Sequence, residues 1–296
     1  MLKEEKYQAS YWKDAARIVF AEAVKKIAIC NKTTADFEKM LEKRMDKWDK
    51  LLEDSLGSVF VDARADKMAI SIISTMINDL ACFKYLKESP SSSNKTNVFN
   101  IKKWVQSGSG LLFFSCTPAQ RSALVPIITA WLTIASETIL QIPETKKRTW
   151  FFIDELHNLN RLPKIETSLA EIRKFGGCFV LGTQMVSQLN NIYSYDITRT
   201  ITGLCGTKVV MSVPEPETAK YMSKFLGDKE EISATEGISY GAHAMRDGAN
   251  ISQQRSIKEV VTASDIMNLK TGEAFVRFAD MELIGKVKFK HHVNTI

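Results

Sequence analysis

Apolar residues recur at helical spacing through the first hundred positions. Trp12, Ala16, Val19, Ala23 and Ile27 are three or four apart and share one helical face. Phe37, Met40, Leu41, Met45, Trp48, Leu51 and Leu52 define a second stripe. It is opened by a capping-type signal, Thr33 with Asp36 three residues on, and closed at Gly57. A third helix is predicted from about Asp66 to Leu86, through Met68, Ile72, Ile73, Met76, Leu80 and Phe83. The run Ser89-Pro90-Ser91-Ser92-Ser93-Asn94 then breaks the pattern and predicts a linker.

Beyond it the rhythm changes to short apolar runs separated by helices. Leu111–Phe114, Trp150–Ile153, Cys178–Leu181 and Thr207–Ser212 read as strands. Helices are predicted from Pro118 to about Gln141, from about Leu162 to Lys174 with a stop at Gly176-Gly177, and from Pro216 to Phe225. Strands that are apolar throughout predict a parallel sheet covered on both faces. Val260-Val261, Ala274–Phe278 and Gly285–Lys290 read as short edge strands. The expected organisation is an all-α domain and linker over 1–100, then an α/β domain over 101–296.

Composition narrows the class. The chain has 296 residues, 45% hydrophobic and 25% charged, which excludes disorder or a coiled-coil rod for its bulk. Its net charge of +6, from 40 basic and 34 acidic residues, permits an anionic partner without requiring one. Cys30, Cys82, Cys116, Cys178 and Cys205 are isolated and never paired as C-x-x-C, the pattern of reduced cysteines in a cytosolic compartment. The start, MLKEEKYQAS, has no apolar signal-peptide region. The most apolar stretch, Ala123–Leu140, falls short of the ~20 residues that span a bilayer and contains Glu137, so it reads as a core helix.

Candidate chemistry gathers at strand ends. Trp150-Phe151-Phe152-Ile153 runs straight into Asp154-Glu155, two acids at the C-terminal tip of a buried strand, where open parallel sheets bind ligands. This is the Walker B pattern, in which Asp154 holds Mg²⁺ through a water and Glu155 orients or deprotonates the attacking water. The same two acids also suit the positive end of a following helix. The next strand ends in Gly182-Thr183-Gln184, which puts a glutamine beside the place of a γ-phosphate or at the cap of the next helix. Arg173, just before Gly176-Gly177, is a candidate arginine finger or a cation at a helix C-terminus. No G-x-x-x-x-G-K-[ST] phosphate loop occurs, because the sole Gly-Lys pair, Gly285-Lys286, is followed by Val287. His157, His243, His291 and His292 have no metal-ligand spacing, and no G-x-S-x-G motif is present.

Taken in order, these residues resemble the type IV secretion coupling protein family, in its conjugative TraD branch. The resemblance is carried by Trp150 to Leu156, Arg173-Lys174-Phe175-Gly176-Gly177-Cys178, Gln184 and Ser187-Gln188-Leu189. Phe20–Ala23, Ala69–Ile72, Pro126–Ala135, Ser239-Tyr240-Gly241 and Arg246-Asp247-Gly248 add to it. The resemblance implies a RecA-like P-loop NTPase sheet, of which this chain holds the C-terminal part, with an all-α domain on its N-terminal side. It implies a homo-hexameric ATPase and DNA translocase at the cytoplasmic face of the bacterial inner membrane. Its partners would be DNA, relaxosome proteins and secretion-channel components, with ATP and Mg²⁺ as cofactors. It carries the Walker B roles to Asp154 and Glu155, the sensor role to Gln184 and the arginine finger to Arg173.

The chain departs from that pattern by lacking transmembrane helices and the Walker A half. Two readings follow. In one, it completes an ATPase whose phosphate loop comes from an N-terminal partner chain. In the other, it is a non-catalytic DNA- or relaxosome-binding module, or a truncated and inactive remnant. Alone, it is expected to be inactive.

Overall fold

The computed structural model describes residues 2–29, 45–61, 66–80, 82, 85, 99–143, 147–159, 161–239, 248–281 and 283–290. They fall into two compact units: residues 1–99 with 113–127, and residues 100–112 with 128–296.

The first unit is helical. Helix α1 (Leu2–Ile29), α2 (Met45–Leu52) and α3 (Asp66–Asp79) carry its core. The stripe Ala16, Val19, Ala23 and Ile27 of α1 packs with Trp48 and Leu52 of α2 and with Ile72, Ile73 and Met76 of α3. Where they are described, the predicted stripes are therefore the buried faces, as amphipathic periodicity requires; Phe37, Met40, Leu41 and Phe83 lie outside the described residues. The boundaries differ. The predicted cap at Thr33–Asp36 and the linker at Ser89–Asn94 lie outside the described residues. Helix α2 stops at Leu52 rather than Gly57, where Asp54 takes a left-handed φ of 62° and Ser55 Oγ donates to the Leu52 carbonyl. Gly57 lies buried inside a short 3₁₀ turn, Leu56–Phe60. Helix α3 ends at Asp79, earlier than the predicted Leu86.

The second unit is built of mixed helices and sheets. Its described elements begin with α4 (Ile101–Ser107), α5 (Pro118–Leu140, whose first turns go with the first unit) and β1 (Thr149–Ile153). They continue with α6 (Ile165–Glu171), β2 (Gly177–Leu181), α7 (Val186–Tyr193) and α8 (Tyr195–Leu204). Then come β3 (Lys208–Met211), α9 (Pro216–Leu226), β4 (Asp228–Ser239), β5 (Gly248–Glu259), α10 (Ala263–Met267), β6 (Glu273–Arg277) and β7 (Ile284–Lys288). Pro216 sits in the first turn of α9, where its missing N–H costs nothing. Helix α6 tightens into a 3₁₀ turn over Ile172–Phe175 and ends at Gly176, whose φ of 86° closes the turn.

Strands β1 and β2 pair in parallel, with Thr149 opposite Gly177 and Ile153 opposite Leu181. One face is well covered. Phe151 packs with Ala135 and Ile139 of α5 and with Ile172, while Ile153 packs with Leu156, Leu162 and Ile165. Helix α5 is long and apolar enough to cross a membrane by length and composition alone. Ala135 and Ile139 nevertheless use it as a core helix of this unit.

The sheet covered on both faces is not what the described residues form. Trp150 and Phe152 on the other face of β1 are 56% and 74% exposed, and their rings stack with centroids 6.0 Å apart. The predicted strand Leu111–Phe114 has no ladder among the described residues; Leu111 and Phe113 stand exposed in irregular chain. The predicted strand at Thr207–Ser212 exists as β3, but it pairs antiparallel with β6 in a separate sheet of order β3-β6-β7. That makes β6 a central strand rather than an edge. Val260-Val261 is a bend, and Val261 is a core residue of that part. The β4–β5 hairpin, with twelve paired positions, has no counterpart in the apolar pattern.

Candidate functional site

Parallel pairing brings the C-terminal tips of β1 and β2 side by side. The ladder continues past both strands: Gly182 N–H donates to the Ile153 carbonyl (2.8 Å), and Leu156 N–H donates to the Gly182 carbonyl (3.0 Å). The backbones run so close here that a Cβ on Gly182 would lie 2.0 Å from the Asp154 carbonyl oxygen. Glycine is required at that point by contact, not by φ.

Asp154 and Glu155 leave the tip of β1 in a turn. Asp154 is exposed, while Glu155 is half-buried and starts a 3₁₀ turn over Leu156–Asn158. Leu156 is 1% exposed and anchors that turn in the core beneath the site. The Glu155 carboxylate is held from two sides. Gln184 Nε2 donates to Oε1 at 2.6 Å, and Asn158 Nδ2 donates to Oε2. His157 Nε2 stands 3.9 Å from the same Oε2, with its Nδ1 buried and unpaired. Tyr193 underpins the site, its hydroxyl accepting from Leu162 N–H at 3.2 Å; burial pushes that phenol above its ordinary range.

Of the four residues singled out in the sequence, the structure brings three together. Asp154, Glu155 and Gln184 occupy neighbouring strand tips. Arg173 does not join them. It lies exposed in the 3₁₀ turn before β2, at the opposite end of the sheet, roughly 13 Å of strand away. Its carbonyl accepts from Arg148 Nη1 at 3.4 Å. Asn158 and His157 were not legible as site residues, because their proximity to Glu155 depends on a 3₁₀ turn that apolar spacing does not reveal.

The open arrangement suits a hydrated cation. Asp154 offers one exposed carboxylate, which fits Mg²⁺ binding through water, and Glu155 and Gln184 offer a carboxylate and an amide beside it.

Comparison with known proteins assigns the family. A family model described as the type IV secretion-system coupling protein DNA-binding domain matches residues 1–290. The chain belongs to this family. Coupling protein TraD of Escherichia coli (strain K12) is 30% identical over 269 residues, which is 88% of this chain and 37% of TraD. Protein VirD4 of Agrobacterium fabrum is 33% identical over 78 residues, 26% of this chain and 12% of VirD4. Solved structures of the bacterial conjugative coupling protein TrwB share the fold. TrwB with ADP and Mg²⁺ superposes at a TM-score of 0.77, with 26% identity, over 96% of this chain and 64% of that one. TrwB with sulphate gives 0.79 and 26% over 98% and 65%. The fold is therefore the α/β, RecA-like fold of the coupling proteins, in its C-terminal part. The chain spans about a third of the length of TraD and just under two thirds of the solved TrwB chains.

Proposed function

We propose that this chain supplies the acid-and-glutamine half of a coupling-protein ATPase that moves DNA toward a type IV secretion channel. The observation that carries the proposal is the hydrogen bond from Gln184 to Glu155 across two adjacent parallel strand tips, beside the exposed Asp154. Support also comes from TrwB, which has been solved with ADPNP and with ADP and Mg²⁺.

The roles follow from position. Asp154 holds the water shell of Mg²⁺. Glu155 accepts a proton from the attacking water. Gln184 fixes one oxygen of Glu155 and senses the state of the nucleotide beside it. Bound Mg²⁺ and ATP supply the transferable γ-phosphoryl group and its charge neutralisation. Arg173 serves as an arginine finger toward a neighbouring subunit's nucleotide in a homo-hexamer, a reading supported by its exposure away from its own chain's acids. The phosphate loop comes from another segment, in cis or on an N-terminal partner chain. The open β1 face at Trp150 and Phe152 supports this, since parallel sheets are stable only with both faces covered. DNA and relaxosome proteins are the proposed substrates, and the cytoplasmic face of the bacterial inner membrane is the proposed location.

The test is ATP hydrolysis by this chain mixed with a coupling-protein segment that carries a phosphate loop. Mg²⁺-dependent turnover by the mixture and none by either part alone is the expected result. No turnover by the mixture would sink the proposal.

A second reading, a DNA- or relaxosome-binding module without catalysis, is favoured by the description of the matched family as a DNA-binding domain. The basic pair Lys25-Lys26 on α1, which could offer charge to DNA, is already engaged, however. Lys25 pairs with Glu22 at 2.7 Å, and Lys26 Nζ donates to the Glu53 carbonyl at 2.9 Å.

A further inference from the structure

The loop that carries Gln184 is pinned at both ends, to the tip of β1 on one side and to helix α9 on the other. Gly182 is bonded into the tip of β1. Four residues on, Val186 opens helix α7, and its N–H is one of the donors that a helix start leaves unpaired. The residue before it, Met185, provides no side-chain cap. Val186 N–H instead donates to Thr218 Oγ1 at 3.0 Å, a buried bond to a residue 32 positions away on α9. Thr218 is 4% exposed. Its hydroxyl in turn donates to Glu215 Oε2, and Ser187 Oγ donates to Glu215 Oε1 at 3.1 Å. One carboxylate thus fixes the orientation of the Thr218 hydroxyl and also holds the second residue of α7.

The same helix α9 is fastened to the base of the β4–β5 hairpin. Gly227, directly after α9, accepts from Val260 N–H at 3.0 Å, and the Ser223 hydroxyl donates to the Val261 carbonyl at 2.5 Å. Arg277 Nη1 donates to the Phe225 carbonyl at 2.7 Å and closes the end of α9. Helix α9 is therefore tied at its start to the Gln184 loop and at its end to the base of the hairpin, through the chain into β4 and through the Val260-Val261 bend that follows β5.

We propose that Thr218 and Glu215 are positioning residues for Gln184, and that α9 joins the Gln184 loop to the base of the hairpin. This rests on the sensor role proposed for Gln184 above. The side-chain bonds of Thr218 go to Val186 and Glu215, not to Asp154 or Glu155. It acts by fixing where α7 begins, which leaves Gln184 a span of only three residues between fixed points. A hydroxyl is required there because Thr218 must accept one hydrogen bond and donate another.

The test is amide hydrogen exchange across the full chain for Thr218→Val, Thr218→Ser and the unaltered protein, with no nucleotide needed. Thr218→Val keeps the shape of the side chain and removes the hydroxyl. Exchange at Val186 and over 183–188 is expected to rise roughly tenfold, the factor that one lost net hydrogen bond carries. Protection inside α5 and β6 is expected to stay unchanged, and Thr218→Ser to restore the slow exchange. Unchanged exchange at Val186 in Thr218→Val would overturn the proposal, as would a loss of protection throughout the second unit. In the two-segment ATPase, Thr218→Val should lower kcat more than it raises KM. If exchange responds while kcat does not, the sensor role of Gln184 fails and the pinning stands.

Discussion

Gln184 Nε2 donates to Glu155 Oε1 at 2.6 Å, although the two residues are 29 positions apart. The bond exists because β1 and β2 pair in parallel and in register to their last residues, Ile153 and Leu181. It sets an amide against a carboxylate at the sheet end where ligands bind in open α/β folds.

A double-mutant cycle should detect this pairing in the isolated chain. Gln184→Ala is expected to cost little, because Gln184 is exposed, and Glu155→Ala more, because it also frees Asn158. Their coupling energy should be about 1.5 kcal/mol, the lower end for a hydrogen bond to a charged group. Denaturant unfolding of the two single variants and the double variant measures it. Strict additivity would mean that the bond is absent in solution.

Gly182→Ala should be among the most damaging single-methyl changes in the chain. The added carbon would overlap the Asp154 carbonyl, a backbone atom that cannot rotate away. A loss of about 2–3 kcal/mol is expected, at the upper end for overpacking. The same strain would displace Asp154 and Glu155. Unfolding midpoints of the variant and the parent decide it.

The two faces of β1 should respond in opposite ways. Phe151 is 7% exposed and stacked on Phe179 at 4.6 Å, so Phe151→Ala should cost about 3–5 kcal/mol. Phe152 on the open face should tolerate Phe152→Thr with little change in stability. Because exposed apolar sheet faces promote association, Phe152→Thr should also reduce self-association in sedimentation velocity. Equal destabilisation by both changes would show that the open face is covered in solution.

The sequence made some of this legible and not the rest. The stripe on α1 and the run Trp150–Ile153 were readable because burial imposes a period on the chain, and Asp154-Glu155 stood out by ending such a run. The hairpin was not readable. Strand β4 begins Asp-Lys-Glu-Glu, and the partners of Glu230 and Glu231 are Arg255 and Lys258, with ion pairs of 3.6 and 2.9 Å that only pairing reveals. Leu111–Phe114 misled for the opposite reason. An apolar run specifies burial, but a strand also needs a neighbouring ladder, and among the described residues that run has none. The Thr218–Val186 bond left no trace in either sequence window, since each residue is unremarkable among its own neighbours.

Acid should loosen the end of the second unit through α10. Thr262 and Asp265 form a capping box: Asp265 N–H donates to Thr262 Oγ1 and Thr262 N–H donates to the Asp265 carboxylate, which also accepts from the Thr262 hydroxyl. These bonds hold Asp265 below its ordinary value of 3.8. A depressed carboxylate stabilises the fold above that value and loses the contribution as pH falls through its folded pKa. Asp265→Asn should therefore flatten the dependence of stability on pH below 3.8 while lowering stability at neutral pH. Thermal unfolding across acid pH measures the difference, which should be small because the carboxylate faces solvent.

Glu155 is proposed above as the base in ATP hydrolysis completed by a phosphate loop from elsewhere. The most direct measurement is kcat for Glu155→Gln in the two-segment ATPase, with nucleotide affinity measured alongside. The expected result is a fall of at least about 10²-fold in kcat, the minimum for removing a general base, with affinity retained. Turnover that survives Glu155→Gln unchanged would contradict it.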